Sequence, residues 1–313
     1  MVDEQICITG SNGFIGTYMR SLLERKSIDY FNWNRHLPNL IDNSDTIIHL
    51  AGRAHHLKEA SDDPLRDYRK ANRDLTLNLA RLALETKVKK FIYTSSVKVI
   101  GDKPGSYNED DRPMPEDSYG ISKIEAEQGL RELFENQSST QCIIIRPPLI
   151  YGPRNKGNIL SLIKIASKKM YLPLKNARGR RSMLYIGNLC DAILNIIQDK
   201  STNRPSVQTY FLTDAKDVTS SKLYSYIFQA MHNKEGVFPT PELIFRLGGK
   251  AGAVLEKLTG VNLPLNQRVV SRLFDEYRFS NQKFCDDYKW SPPYTISQGI
   301  QNTVEWYNSI KRR

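Results

Sequence analysis

The most constraining feature of this chain is an alternation in its first half. Short apolar runs rich in β-branched residues, QICITG, DTIIHLAG, KKFIYTSS and QCIIIRPPLIYG, alternate with stretches of helical spacing. The helical stretches are FIGTYMRSLLERK, DPLRDYRKANRDLTLNLARLALETK and YGISKIEAEQGLRELFENQ. The apolar runs show no inside/outside alternation, so they read as strands buried on both faces. Strands separated by helices pair in parallel, and the expectation is a doubly wound α/β sheet. The second half is less regular, with helices around 157–170, 188–198 and 219–232, a strand-like VQTYFLT at 207–213 and a last helix in ISQGIQNTVEWYNSI. Gly/Pro clusters at 152–157, 236–241 and 291–294 mark surface connections.

Immediately after the first run comes Thr9-Gly10-Ser11-Asn12-Gly13-Phe14-Ile15-Gly16, opening straight into a helix. Glycines permit a tight turn and a close approach of backbone to a pyrophosphate, and the helix N-terminus offers free N–H groups and a positive dipole end. The spacing is G-x-x-G-x-x-G, not the commoner G-x-G-x-x-G, yet strand, turn and helix fall in the order that dinucleotide binding requires. NAD enzymes place an acid at the end of the second strand to bond the adenosine ribose. In IDYFNWNR that place falls at Asn34, followed by Arg35. With no acid to repel a 2′-phosphate and a guanidinium to pair with it, NADP(H) is favoured and NAD(H) remains open. The short link from Asn34 to Asp45 implies an abbreviated adenine pocket.

At 313 residues the chain can bury one large core or two interlocked ones. No apolar run is long enough for a membrane span, and the first strand begins too early for a signal peptide. Cys7, Cys142, Cys190 and Cys285 are scattered without metal spacing; no metal is expected, and a reduced, cytoplasmic setting is. Net charge is +11, from 45 Lys/Arg against 34 Asp/Glu, which admits nucleic acid, an anionic membrane surface or a phosphorylated small molecule as partner. Seven basic residues and no acid lie between Lys164 and Arg181. The run holds only Tyr171 as an aromatic, so a single-strand binding platform is not expected. A solvated helix face accounts for part of the run and a diphosphate contact for its end.

Tyr119 and Lys123 lie four apart on a helical stretch, which places both side chains on one face about 5–6 Å apart at Cβ. A phenol beside an ammonium is a workable proton donor, since the positive charge favours phenolate and lowers the tyrosine pKa. Ser95 and Ser96 end the run KKFIYTSS, at the carboxyl edge where parallel sheets bind ligands. At this point the chain resembles the extended short-chain dehydrogenase/reductases, the superfamily of UDP-galactose 4-epimerase. The matching residues are TGSNGFIG at 9–16, HLAG at 49–52, YTSSVKVIG at 93–101, YGISK at 119–123, IRPPLIYGP at 145–153, RSMLYIGNLCDAI at 181–193 and the late Trp290-x-Pro292.

The resemblance implies a Rossmann-type sheet with a smaller, mixed C-terminal substrate-binding domain. The nucleotide domain is expected over 1–155 with 182–214, and the sugar domain over 156–181 with 215–313. Counting back from Gly101, the catalytic serine is Ser96, which would bond the reacting oxygen. Tyr119 would exchange a proton with that oxygen and Lys123 would hold the nicotinamide ribose. Gly10, Gly13, Phe14, Ile15, Gly16, Asn34, Arg35, Ala51, Gly52, Asn72 and Pro147 would line the cofactor with Tyr119 and Lys123. Arg181 and Asn158 match residues that hold a nucleotide-sugar diphosphate, and one of Arg268, Arg272 and Arg278 would join them. A homodimer through the helices bearing Asn72 and Tyr119 is implied.

Three activities share such a scaffold. Dehydratases use an Asp-Glu pair directly after the catalytic Ser/Thr, and here Val97 and Lys98 stand there. Asn34-Arg35 and SSVKV resemble bacterial reductases of UDP-4-keto-6-deoxy-N-acetylhexosamines in surface-polysaccharide assembly, so NADPH-dependent reduction of such a sugar is expected. C4 epimerisation with tightly held NAD is the alternative. A non-catalytic regulatory or nucleic-acid-binding member is a third, disfavoured by retention of Ser96, Tyr119 and Lys123.

Overall fold

A computed structural model describes residues 4–33, 44–53, 62–135, 137, 139–201, 203–249 and 267–311. Among these, six parallel strands form one sheet in the order β10-β6-β4-β3-β1-β2. They are β1 (Ile6–Thr9), β2 (Tyr30–Asn32), β3 (Thr46–His49), β4 (Lys90–Thr94), β6 (Gln141–Arg146) and β10 (Val207–Phe211). The reversal of strand order between β1 and β3 opens the crevice where doubly wound sheets take ligands.

Period-two side chains sort the strands onto two cores. Ile6, Ile8, Ile48, Ile92, Ile143 and Ile145 face one layer with Met19 and Leu23 of α1 (Phe14–Arg25) and the buried face of α6 (Ile186–Gln198). Cys7, Ile47, Phe91, Tyr93, Cys142 and Ile144 face the other, against α3 (Leu75–Glu85) and α4 (Ser118–Phe134). Both faces are thus covered, as unalternated apolar runs require.

Two expectations change in detail. The stretch read as one long helix over 63–87 is broken: α2 (Pro64–Tyr68) leads into a π-helical turn, Arg69–Asp74, before α3. The run QCIIIRPPLIYG is two strands, because Pro147 and Pro148 lack the N–H groups a sheet ladder needs. β6 stays in the main sheet, while β7 (Leu149–Tyr151) pairs with β9 (Met183–Tyr185).

A smaller sheet, β11-β8-β12-β5, gathers four distant segments. These are β5 (Gly105–Tyr107), β8 (Arg180–Arg181), β11 (Val218–Thr219) and β12 (Tyr277–Phe279). The remaining helices are α5 (Asn158–Ser167), α7 (Ser220–His232), α8 (described over 242–249), α9 (Gln267–Phe274), α10 (Gln282–Tyr288) and α11 (Ile296–Lys311).

Candidate active site

The glycine loop folds as its sequence demands. Gly10 sits at φ +67, where an L side chain is strained, and a Cβ there would lie 2.6 Å from the Ala51 backbone nitrogen. At Gly16 a Cβ would lie 2.3 Å from the Gly10 carbonyl oxygen, so α1 packs directly on the turn. Gly13 caps the helix, its N–H bonded to Gly10 O at 2.9 Å and its carbonyl accepting from Thr17 N. Phe14, Ile15 and Gly16 therefore occupy the first turn, whose N–H groups have no intrahelical acceptor. Ala51 N donates to Thr9 Oγ1 at 3.2 Å, fixing the β3 exit against the loop.

At the carboxyl end of β4 the two serines part company. Ser95 Oγ turns inward and donates to Glu127 at 2.5 Å. Ser96 stands beside the Tyr119 phenol and caps the following turn, its Oγ accepting from Lys98 N at 3.2 Å. Gly120 makes this meeting possible: a Cβ there would come within 2.6 Å of Lys98 O, so only glycine lets α4 start this close to the turn. Pro147 joins the same corner, its carbonyl accepting from Val97 N at 3.1 Å. Tyr68 of α2 packs edge-on against the Tyr119 ring at 5.9 Å between centroids.

Lys123 shares the α4 face with Tyr119 but answers to other partners. Its Nζ donates to Thr94 O at 2.9 Å, lies 4.8 Å from the Tyr93 ring centre and stands 5.9 Å from that of Tyr119. The expected lowering of the tyrosine pKa is not found: burial pushes Tyr119 up to about 12, with the Ser96 hydrogen bond opposing it. Desolvation of the phenolate outweighs a cation that is not bonded to it. Burial also brings Lys123 down to about 8, with nearby Glu127 opposing the shift.

Behind the crevice run two polar chains that the sequence reading does not pick out. Asn72 is fully buried in the π-helical turn, where its Oδ1 accepts from Arg53 N at 2.8 Å and its Nδ2 donates to Ser122 Oγ at 3.0 Å. Gly52 lies over it, within 2.7 Å of Asn72 Oδ1 and 3.6 Å of Lys123 Nζ for a Cβ built there. Thr76 Oγ1 donates to Asn72 O at 2.6 Å, so it accepts from His49 Nε2 at 2.8 Å, and His49 Nδ1 accepts from Thr9 Oγ1 at 2.6 Å. Burial and the Lys123 charge hold His49 down to about 3, so it is a neutral strut between the glycine loop and the π-helical turn. The second chain is ionic: Arg146 grips Glu127 through Nε and Nη2 at 2.6–3.1 Å, both residues nearly excluded from solvent. Its signal was legible as an arginine in an apolar strand and a glutamate one turn beyond Lys123.

In the smaller sheet, Arg181 lies in β8 with its Nε donating to Arg272 O at 3.0 Å and its guanidinium 5.9 Å from the Tyr277 ring centre. Burial and the charge of Arg272 both lower its pKa, with Tyr277, Asp275 and Asp102 acting in the opposite direction. Arg278 is engaged elsewhere, with Asp217 at 2.5 Å and Glu276 at 3.7 Å. Of the two candidate partners whose side chains are described, Arg272 is the one placed beside Arg181. The Arg268 side chain, Asn34 and Arg35 lie outside the described residues. Asn158 opens α5 as an exposed residue and makes no side-chain hydrogen bond among the described residues.

A model of the family described as NAD dependent epimerase/dehydratase matches residues 6–208. The chain belongs to that family. It is 31% identical to UDP-glucose 4-epimerase of Vibrio cholerae, over 99% of this chain and 97% of the relative. It is 26% identical to N-acetyl-alpha-D-glucosaminyl-diphospho-ditrans,octacis-undecaprenol 4-epimerase of Escherichia coli O157:H7, over 97% and 96%. Among solved structures, UDP-glucuronic acid 4-epimerase from Bacillus cereus, in complex with UDP-glucuronic acid and NAD, aligns with a TM-score of 0.74. It does so at 17% identity over 98% of this chain and 99% of that one, a likeness of fold.

The protein is thus a nicotinamide-dependent enzyme of the epimerase/dehydratase family, and its residues fit the cofactor. The Gly10–Gly16 cradle leaves no room for side chains and turns first-turn N–H groups outward, as a pyrophosphate needs. Ala51, Gly52, Asn72, Lys123 and Tyr119 continue from the cradle to the β4 lip. Among the described residues no three His, Cys, Asp or Glu side chains gather as a metal would require.

Proposed function

We propose that this enzyme acts at C4 of a UDP-sugar and inverts that centre by oxidation followed by reduction. The observation that carries the reading is the meeting of Ser96 and Tyr119 where Gly120 lets α4 start against the turn after β4, on the sheet edge that also bears the dinucleotide cradle. In this reading Tyr119 takes the proton of the C4 hydroxyl as oxidation proceeds and returns it when the ketone is reduced. Ser96 donates to the same oxygen and stabilises charge developing on it. Lys123 binds the ribose hydroxyls, and Arg181 with Arg272 holds the diphosphate. The nicotinamide, when bound, supplies the hydride acceptor and donor.

The names of both curated relatives favour epimerisation over the keto-reduction expected from the sequence. In one of them the diphosphate carries a polyprenol instead of uridine. Dehydration is unsupported: Val97 is apolar and Lys98 is tied to Asp102 at 2.5 Å and Asp117 at 3.4 Å. Asn34 and Arg35 still argue for NADP(H) at the adenosine end. We assign residues 1–155 with 182–214 to the nucleotide and the remainder to the sugar. A cytoplasmic homodimer, joined through the helices of Asn72 and Tyr119, is part of the proposal, and its four free thiols suit a reducing compartment.

The test offers UDP-Glc, UDP-GlcNAc and UDP-4-keto-6-deoxy-GlcNAc to the purified enzyme. Epimerisation predicts interconversion of a UDP-sugar with its C4 epimer without net cofactor turnover. Stoichiometric NADPH oxidation by the keto sugar alone would establish the reductase instead. Dissociation constants for NADPH and NADH, before and after Arg35→Ala, decide the cofactor; an NADH preference that the substitution leaves untouched would sink the NADP reading.

A further inference from the structure

Ten large hydrophobic side chains stand exposed among the described residues, and six of them fall on two neighbouring stretches: Met170, Tyr171, Phe238, Leu243, Ile244 and Leu247. The stretches are laced together by Leu172 N to Gly236 O at 2.9 Å, Phe238 N to Leu172 O at 3.0 Å and Lys175 N to Phe238 O at 3.2 Å. On α8, Phe245 is buried with Ala177, Val270 and Leu273, while Leu243, Ile244 and Leu247 share the opposite, outer face. A concentration of exposed apolar groups on one surface marks a site of interaction.

The charge around this surface selects its occupant. Lys164, Lys168, Lys169, Lys175, Arg178 and Arg180 are exposed, with no acid between positions 164 and 181. Lys175 pairs with Glu235 at 3.7 Å, and Arg246 with Glu242; the other five form no ion pair among the described residues. A second copy of the chain fits poorly, because an isologous contact sets these cations against themselves. Nucleic acid fits less well, since Met170, Leu243, Ile244 and Leu247 outnumber Tyr171 and Phe238, the two aromatics on which bases could stack. An anionic lipid bilayer matches both properties, taking the aliphatic side chains into its interface and the lysines against its headgroups.

We propose that this surface docks the enzyme peripherally on an anionic membrane. Attachment lies on the bilayer and does not cross it, as no described helix is long and apolar enough to span one. The docked face adjoins the cation pair. Phe245 and Arg246 of α8 both contact the Phe274 ring, at 5.7 and 5.9 Å, and Arg272 of the same helix α9 holds Arg181. The proposal goes beyond the C4 reading and does not depend on it.

The experiment is co-sedimentation of the full chain with vesicles of phosphatidylcholine, with and without phosphatidylglycerol. The bound fraction is expected to rise about tenfold or more on the anionic vesicles and to fall as salt is raised. A Leu243→Ser, Ile244→Ser, Leu247→Ser variant should lose that binding at every salt concentration. Lys168→Glu with Lys169→Glu, at two exposed positions, should weaken it mainly at low salt. Equal sedimentation on neutral and anionic vesicles overturns the proposal. So does a serine variant that still binds lipid, or one that changes from dimer to monomer in the ultracentrifuge with lipid binding intact.

Discussion

At the scale of single residues, the catalytic helix carries a lysine under electrostatic tension. Unfolded, the Lys123 ammonium titrates near 10.5; folded, burial brings it to about 8. The folded state therefore binds fewer protons between those two values, and stability rises with pH across that window. Below pH 8 the charged form carries the whole penalty, on the order of 3 kcal/mol at 1.36 kcal/mol per pKa unit. Lys123→Met is expected to be more stable than the parent toward urea at pH 7, with the difference shrinking as pH climbs from about 8 toward 10.5. The same substitution should lower turnover about a hundredfold or more, because the group proposed to bind ribose is gone. A destabilised Lys123→Met at pH 7 would mean that the Thr94 carbonyl bond outweighs desolvation. The tension explains why Tyr119 and Lys123, so readable as a pair in sequence, do not behave as one in the fold. The spacing places two side chains on one face, but pKa follows from burial, which only the packed structure decides.

At the scale of elements, the active site depends on how α4 is pinned to β4 and β6. Arg146 at the end of β6 and Glu127 on α4 form the pin, with Ser95 of the β4 exit as third member. Arg146 Nη1 finds no partner among the described residues, so the pair is not fully satisfied. Arg146→Met should cost about 3–5 kcal/mol by leaving the Glu127 carboxylate buried alone, whereas Arg146→Met with Glu127→Leu should recover much of it. Urea unfolding of the single and double variants checks this; additive losses would show that the two charges do not support one another. The main-sheet elements themselves were legible because parallel strands and amphipathic helices announce their periods over many residues. β8 and β11, at two residues each, have no period to read, and the π-helical turn that buries Asn72 looks like ordinary helix. The split at Pro147–Pro148 was legible in principle, since neither proline can donate to a ladder.

At the scale of the whole molecule, the proposed diphosphate end of the site is assembled from segments that sequence keeps far apart. β8 brings Arg181, α9 brings Arg272, and β12 brings Tyr277 beneath the Arg181 guanidinium. No local spacing could choose Arg272 over Arg278; the choice came from Asp217, which occupies Arg278 across the small sheet. A ligand that binds here ties these segments together and so stabilises the fold as a unit. If the cation pair holds a diphosphate, UDP alone at a hundred times its dissociation constant adds about 2.7 kcal/mol to stability. Arg181→Met removes charge-assisted hydrogen bonds worth about 1.5–3 kcal/mol, which should abolish most of that gain at the same UDP concentration. Arg278→Met should keep the full UDP response while lowering the baseline melting temperature, because it breaks an ion pair that serves the sheet and not the ligand. Thermal unfolding of the three proteins with and without UDP separates these outcomes. An undiminished response in Arg181→Met would move the diphosphate away from β8, and a lost response in Arg278→Met would move it toward β12.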